Sequence, residues 1–446
     1  MSARRIDGRW VIAAVLVSYF AVLFVASQRA GSIKVWERAG VPALSPAFAD
    51  LRVITAGLES ARDGYDALVN NPRDPWKRPI NYPRVWVAAK FLGITQQHTV
   101  ALGFLIAAGF FATLFLTAGR IGLLEGAVYA VLVCSPTLML ALERGNIDLI
   151  MFALLATAAA LWSRKQRAAV AAVIVSAAIL KLYPICALFF AVRDKTRAAI
   201  IAAGAGAIAF GVYVLATRHD IAALLAATPA ARFPAYGREL LFLMLEDRGF
   251  GGDPVLHSLL FVSVMFVGAL LLALKLPAPQ FTPGAAEMMI IGFAVYAMTF
   301  SLMSSFSYRL VFLLLALPQL FCWCRRGGAS RYFALANLFL IAVALYLAAI
   351  SEQSTLLTKE VACWLLLGSA FFVLVRAALS REQVVHGHDD ECSRLGSVER
   401  LVEGDELRLL RTRAECYFDF PQRLRAITCG AIRACEKVMR LGVVRR

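Results

Sequence analysis

The sequence predicts an all-α polytopic membrane protein, and three observations carry that expectation. Hydrophobic residues make up 60% of the 446 and charged residues 17%, more apolar side chains than a soluble core of this size could hide. Apolar runs close to the roughly 20 residues that cross a bilayer recur along the chain. Much of the Lys and Arg falls between those runs. The expected arrangement is a bundle of about twelve transmembrane or re-entrant helices in residues 1–379, with a cytoplasmic tail in 380–446.

The runs fall at 10–27, 99–118, 122–142, 149–162, 198–217, 255–275, 286–306, 310–324, 332–350 and 361–379. The first, Trp10–Ser27, follows Met-Ser-Ala-Arg-Arg and has no convincing small-residue cleavage site, so it reads as a retained helix with the amino terminus inside. Residues 28–98 then form a first outer loop far longer than a helix turn needs, which predicts a folded element with a task of its own. Within it, Asp50 opens a stretch whose Leu51, Val53, Ile54 and Leu58 recur at helical spacing, as in a helix lying flat at the membrane interface.

Residues 168–192 do not fit a single span. Basic clusters flank the segment on both sides, and short Lys/Arg-rich loops belong on the inner face, whereas one crossing would separate them. A hairpin resolves the conflict. Lys181-Leu-Tyr-Pro184 lies mid-segment, and proline removes a backbone donor and disfavours helix in the residue before it. Two short helices meeting there would enter and return, with the break buried in protein. Lys275, Arg325, Arg326, Arg331, Arg376 and Arg381 then all face inward, and the outer regions are 28–98, the Glu143–Asp148 turn, 218–254, the Ser304–Arg309 turn and a connector at Ser351–Lys359. The tail shows helical periodicity in Arg400–Arg411 and Gln422–Leu441, read either as amphipathic helices on anionic lipid or as a mostly disordered segment.

The net charge of +16 is accounted for by inner loops and anionic lipid, and no nucleic-acid partner is expected. None of the nine cysteines lies in the first outer loop, so no disulfide framework is expected there. Cys322-Trp-Cys324 has no partner pair at metal spacing and reads as apolar packing. The chain has no Walker loop, dinucleotide fingerprint or His/carboxylate metal spacing, which argues against ATP or a nucleotide-sugar donor.

Polar residues at the outer ends of the runs are the candidates for chemistry. Arg144-Gly-Asn146-Ile-Asp148 joins two spans; such charges are often interface anchors, but an Arg can fork onto a phosphate beside a helix amino terminus. Arg78, Tyr82 and Arg84 mix cations with an aromatic, as a site for sugar and phosphate would. Lys181, with Tyr183 beside it, is an intramembrane charge whose partner is Asp148, a substrate phosphate, or the hairpin itself. Tyr308-Arg309 sets a further cation at an outer end, Arg52 lies close to Asp50, and His257 reads as an interface histidine or a site residue. Asp50 is either a general base that removes a hydroxyl proton or a helix amino cap.

Taken in order, the first-loop Asp50, the Tyr82-Pro83 pair, Arg-Gly-Asn-Ile-Asp148 and Ile-Leu-Lys-Leu-Tyr-Pro184 resemble the GT-C superfamily of polyprenol-phosphate-sugar-dependent glycosyltransferases, family 87 in particular, which includes bacterial mannosyltransferases. The resemblance covers roughly residues 10–350 and implies a GT-C-like bundle in the bacterial cytoplasmic membrane, its active site facing outward. It implies transfer, with inversion, of a hexose such as mannose, or of a pentose, from a polyprenyl-phosphate donor to a lipid or glycan acceptor. Asp50 would be the base, with Arg144, Arg309, Lys181 and Arg84 around the phosphate. Family members often carry a second proline after the Tyr-Pro, where Arg84 stands here. No cofactor is expected, and a divalent metal is left open. A transporter or flippase for a lipid-linked or anionic solute is the alternative, although a single broken segment supplies no inverted repeat. A non-catalytic scaffold would leave Lys181 and the acidic first loop unexplained.

Overall fold

A computed structural model describes residues 7–228, 233–277, 279–302, 305–347 and 353–380. The predicted tail helices therefore lie outside the described residues, as do parts of the 218–254 region and of the outer turns at 304–309 and 351–359. The described chain is mostly helical. Eight helices are long and apolar enough to cross a membrane, and a ninth span is added if one bent pair is counted as one, as in an all-α polytopic membrane protein.

Helix α1 (Arg9–Ala30) is followed by α2 (Ser32–Arg38) and by α3 (Ala49–Arg62) in the long loop, which ends in 3₁₀ turns at Arg84–Leu92 and Gln96–His98 before α4 (Thr99–Thr117). The run at 122–142 is α5 (Leu123–Val133) plus α6 (Pro136–Arg144), bent by 56° where Ser135 precedes Pro136 and the proline begins a new helix. Then come α7 (Asp148–Ser163), α8 (Arg167–Leu180), a 3₁₀ turn at Tyr183–Phe189, α9 (Phe190–Asp194), α10 (Arg197–Ala216), α11 (Arg218–Ala227) and α12 (Arg238–Glu246). Helices α13 (Pro254–Lys275) and α14 (Ala285–Leu302), a 3₁₀ segment at Ser307–Ala316, α15 (Leu317–Arg326), α16 (Gly328–Leu347) and α17 (Gln353–Leu379) complete the order.

The bundle is layered. Helices α1, α10 and α13 bury little of their apolar surface and present Leu, Val, Ile and Phe outward, as a lipid-facing shell requires. Helices α7 and α14 and the Ser307–Arg326 segment form the centre, with Phe152, Phe293, Tyr296, Phe312 and Trp323 enclosed. The 16 residues of α7 reach about 24 Å at 1.5 Å each, short of the roughly 30 Å hydrocarbon thickness. Its first residue, Asp148, is accordingly held inside protein.

The segment expected as a hairpin does turn back. Helix α8 stops at Leu180, Lys181 is extended (φ −159°, ψ 108°), and Pro184 starts the return through α9. The two ends meet again: Arg167 pairs with Asp194 at 2.7 Å, and the Trp162 indole donates to the same carboxylate at 3.1 Å.

The first loop differs from the expectation in one respect. Helix α3 forms where the period predicts it, but it does not present its apolar face to lipid. Leu51, Val53, Ile54 and Leu58 are buried, and so are Thr55, Gly57 and Ser60 on other faces. The loop folds over the helix: Asn71 donates to the carbonyls of Val53 and Arg78 and accepts from Ser60, and Ile80 lies where a side chain at Gly57 would have to go. An amphipathic period cannot distinguish a lipid surface from a covering loop, because both remove the same stripe from water. The most exposed apolar side chains of this region are instead Phe91 and Leu92, just before α4.

Candidate functional site

At the loop-covered end of the bundle, four chain segments bring two carboxylates and two cations together. The α6–α7 turn makes this possible. Gly145 sits at φ 59° and its Cα faces Leu51 and the Phe48 ring, so that a Cβ would lie 3.1 Å from each; glycine lets the turn come in under α3. Phe48, itself left-handed at φ 58°, donates its N–H to the Glu143 carbonyl at 3.2 Å and so seats the start of α3 on the same turn. Asp50 follows in the first turn of α3, half-buried.

Asp50 is not a helix cap, since no side-chain cap bond is made at this terminus. Its Oδ2 accepts from Asn146 Nδ2 at 2.6 Å. Asn146, fully buried, accepts at Oδ1 from the Asp148 N–H at 2.9 Å and from Lys181 Nζ at 3.4 Å. Asp148 Oδ1 takes Lys181 Nζ at 2.5 Å and the Tyr183 hydroxyl. Across from it, Arg309 Nε stands 3.9 Å from Asp148 Oδ2, too far for a hydrogen bond, and both atoms lack a hydrogen-bond partner among the described residues. Arg309 is steadied by Ser305, whose Oγ accepts from Nη1 at 2.9 Å.

Lys181 is enclosed by rings as well as by its carboxylate. Tyr82, Tyr183 and Tyr308 lie 5.3, 5.9 and 5.8 Å from its Nζ to their centroids, in range for cation–π attraction. The Trp86 indole donates to the Leu180 carbonyl at 3.0 Å, so the first loop grips the hairpin one residue before Lys181. The short two-stranded pairing of Ala235–Tyr236 with Ser305–Phe306 leads the chain into Arg309.

Of the residues picked out in the sequence, Asp50, Tyr82, Asn146, Asp148, Lys181, Tyr183, Tyr308 and Arg309 come together. Arg144 is engaged within the protein: it pairs with Glu143 at 3.1 Å and donates to the Pro42 carbonyl at 2.7 Å, fastening the chain ahead of α3. Arg78 pairs with Asp74 and donates to the Ala49 carbonyl at 2.7 Å, bracing the start of α3 from below. Arg52 turns to the Ala47 carbonyl at 3.3 Å. Arg84 bridges Asp66 at 3.0 Å and Asp220 at 2.8 Å on the surface, tying the first loop to α11. His257 is exposed on α13, its ring 6.1 Å from that of Phe242, and makes no contact with the cluster among the described residues.

Sequence reasoning missed Glu143 and Trp86. Glu143 is buried and accepts from the Leu44 N–H at 2.9 Å. Its signal was an acid placed directly before Arg144 at the end of an apolar run. Trp86, four residues beyond Tyr82, carried only the general signal of an aromatic near a polar motif.

Among the described residues no group of three His, Cys, Asp or Glu side chains is placed to hold a metal ion. Fold and cluster together define a multi-pass helical membrane protein with a half-buried carboxylate in one cluster with the cations Lys181 and Arg309. Comparison with protein-family models, with curated proteins and with solved structures finds no match for the chain.

Proposed function

We propose that this protein is an integral-membrane glycosyltransferase that moves a sugar from a polyprenyl-phosphate donor to a hydroxyl of a lipid or glycan acceptor. The site would face the outer side of a bacterial cytoplasmic membrane, within a GT-C-like arrangement of spans. The observation that carries this reading is the placement of Asp50 against Asn146 in one cluster with Lys181 and Arg309. Asp50 takes the proton of the acceptor hydroxyl as its oxygen bonds to the anomeric carbon. The bond from that carbon to the donor's phosphate oxygen breaks, and the phosphate leaves as an anion that needs no proton.

Arg309 meets that developing charge, and Lys181 adds positive potential behind it. The guanidinium suits a phosphate because its donors form a planar fork. The buried surroundings strengthen both effects by keeping water away. The Trp86 and Asn71 contacts keep the first loop folded over the site.

The test is sugar transfer by the purified full chain in nanodiscs, from polyprenyl-phosphate sugars to lipid acceptors. Asp50→Asn is expected to lower turnover about 1000-fold, within the range for loss of a general base, while the thermal unfolding midpoint stays put. Turnover retained in that variant removes Asp50 as base.

A further inference from the structure

Among the described residues Asn146 is the one side chain that hydrogen-bonds to both Asp50 and Lys181, and its amide can in principle point either way. Its neighbours decide. The Asp148 N–H and the Lys181 ammonium are donors only, so both require the amide oxygen, and Nδ2 is left to face Asp50. Lys181 has little freedom to release it, held by Asp148 and surrounded by Tyr82, Tyr183 and Tyr308.

We infer that Asn146 is a positioning residue for Asp50: the caged Lys181 and the Asp148 N–H lock its amide, which holds Asp50 Oδ2 and leaves Oδ1 for the acceptor hydroxyl. Among the described residues no hydrogen bond reaches Asp50 Oδ1, and Asn146 itself has no solvent-exposed surface with which to bind a substrate. Lys181 thereby acts on the base through Asn146, which leaves Arg309 as the cation facing the phosphate. The inference rests on Asp50 being the base of the proposed reaction, and part of its test needs no reaction at all.

Carbodiimide labelling of Asp50, followed by mass spectrometry of the full chain in nanodiscs, reads the carboxyl group directly. Carbodiimide must reach a carboxyl oxygen, and Asn146 Nδ2 holds Oδ2 at 2.6 Å, so Asn146→Leu should speed labelling about tenfold. Lys181→Met, which leaves the Asp148 N–H alone to hold the amide, should speed it about threefold. Asn146→Asp is nearly isosteric and removes the donor to Oδ2; it should label about as fast as the leucine variant and serves if that variant does not fold. Wild-type labelling rates in the folded variants overturn the inference.

In the transfer assay Asn146→Leu should lower kcat roughly 100-fold with KM within about twofold. A raised KM at unchanged kcat would make Asn146 a substrate ligand and overturn the positioning role. Faster labelling in the variants, with no transfer by the wild type from any polyprenyl-phosphate sugar, would leave Asn146 positioning Asp50 and remove the glycosyl-transfer proposal alone.

Discussion

The hairpin of α8 and α9 carries a buried ion cluster at each end, and the two are built to different standards. At its base, Asp194 receives Arg167 at 2.7 Å, the Trp162 indole at 3.1 Å and the Thr196 hydroxyl at 2.5 Å. No buried side-chain atom of these residues lacks a hydrogen bond. At its tip, about 21 Å away along the 14 residues of α8, Asp148 Oδ2 and Arg309 Nε face each other without a hydrogen bond. The same pairing of an acid with a base closes the fold at one end and leaves polar capacity unspent at the other. Buried polar groups are ordinarily satisfied, and a catalytic role is one reason for an exception.

The same substitution at the two ends sharpens that contrast. Asp50→Asn should take away nearly all turnover and no stability, as set out above. Asp194→Asn should do the reverse: it leaves Arg167, only 12% exposed, without its charge partner, which costs about 3 kcal/mol. Chemical denaturation would measure that loss, and turnover per folded molecule should match the wild type. If Asp194→Asn instead abolishes turnover in fully folded protein, the two ends are not distinct in kind.

Arg309→Gln comes next. It removes the cation at the tip that has hydrogen-bonding capacity to spare, and donor capture should weaken about 30-fold while acceptor KM changes little. An unchanged donor KM would place the phosphate elsewhere.

The smallest effect belongs to the surface tie of Arg84 with Asp66 and Asp220. Arg84→Gln should cost less than about 1 kcal/mol and matter less still at high salt, since these side chains are well exposed. The hydrogen bond from Arg84 holds the Asp66 carboxyl below the usual carboxylate range, against partial burial that pushes it up. A lowered carboxylate contributes stability that is full above its unfolded value and lost as pH falls through the folded one. Amide exchange around Leu68, whose N–H donates to Asp66 at 3.2 Å, should therefore be steady through neutral pH and quicken only below roughly pH 4. Loosening near pH 6 would mean that another group controls the loop.

Much of the bundle is legible in the sequence. Apolar run lengths marked the spans, and basic residues on both flanks of 168–192 together with Pro184 marked the hairpin that the Arg167–Asp194 pair closes. The site was legible in part for a related reason: a polar residue at the end of an apolar run has few places to go, so Asn146, Asp148, Lys181, Tyr183 and Arg309 converge. The 56° bend at Ser135 was not anticipated, because a run of apolar residues reads as continuous across a proline that opens a new helix. The cations Arg52, Arg78 and Arg144 misled for a different reason. Each donates to a backbone carbonyl, of Ala47, Ala49 and Pro42 in turn, and a carbonyl leaves no mark in a sequence, although the carboxylates that Arg78 and Arg144 also pair with, Asp74 and Glu143, do.

Composition and spacing by themselves determined that this chain crosses a membrane many times, that its first loop is a folded element, and that a charge sits at the turn of a hairpin. These follow from the cost of placing polar groups in hydrocarbon, which acts on every residue locally. Only the tertiary structure decided which acid faces which base, which arginines brace the loop, and that α3 is covered by protein instead of lipid. Those outcomes depend on distances of a few ångströms between residues that lie at widely differing separations along the chain, and hydrogen-bond and ion-pair energies fall away too steeply with distance for any pattern along the chain to foretell them.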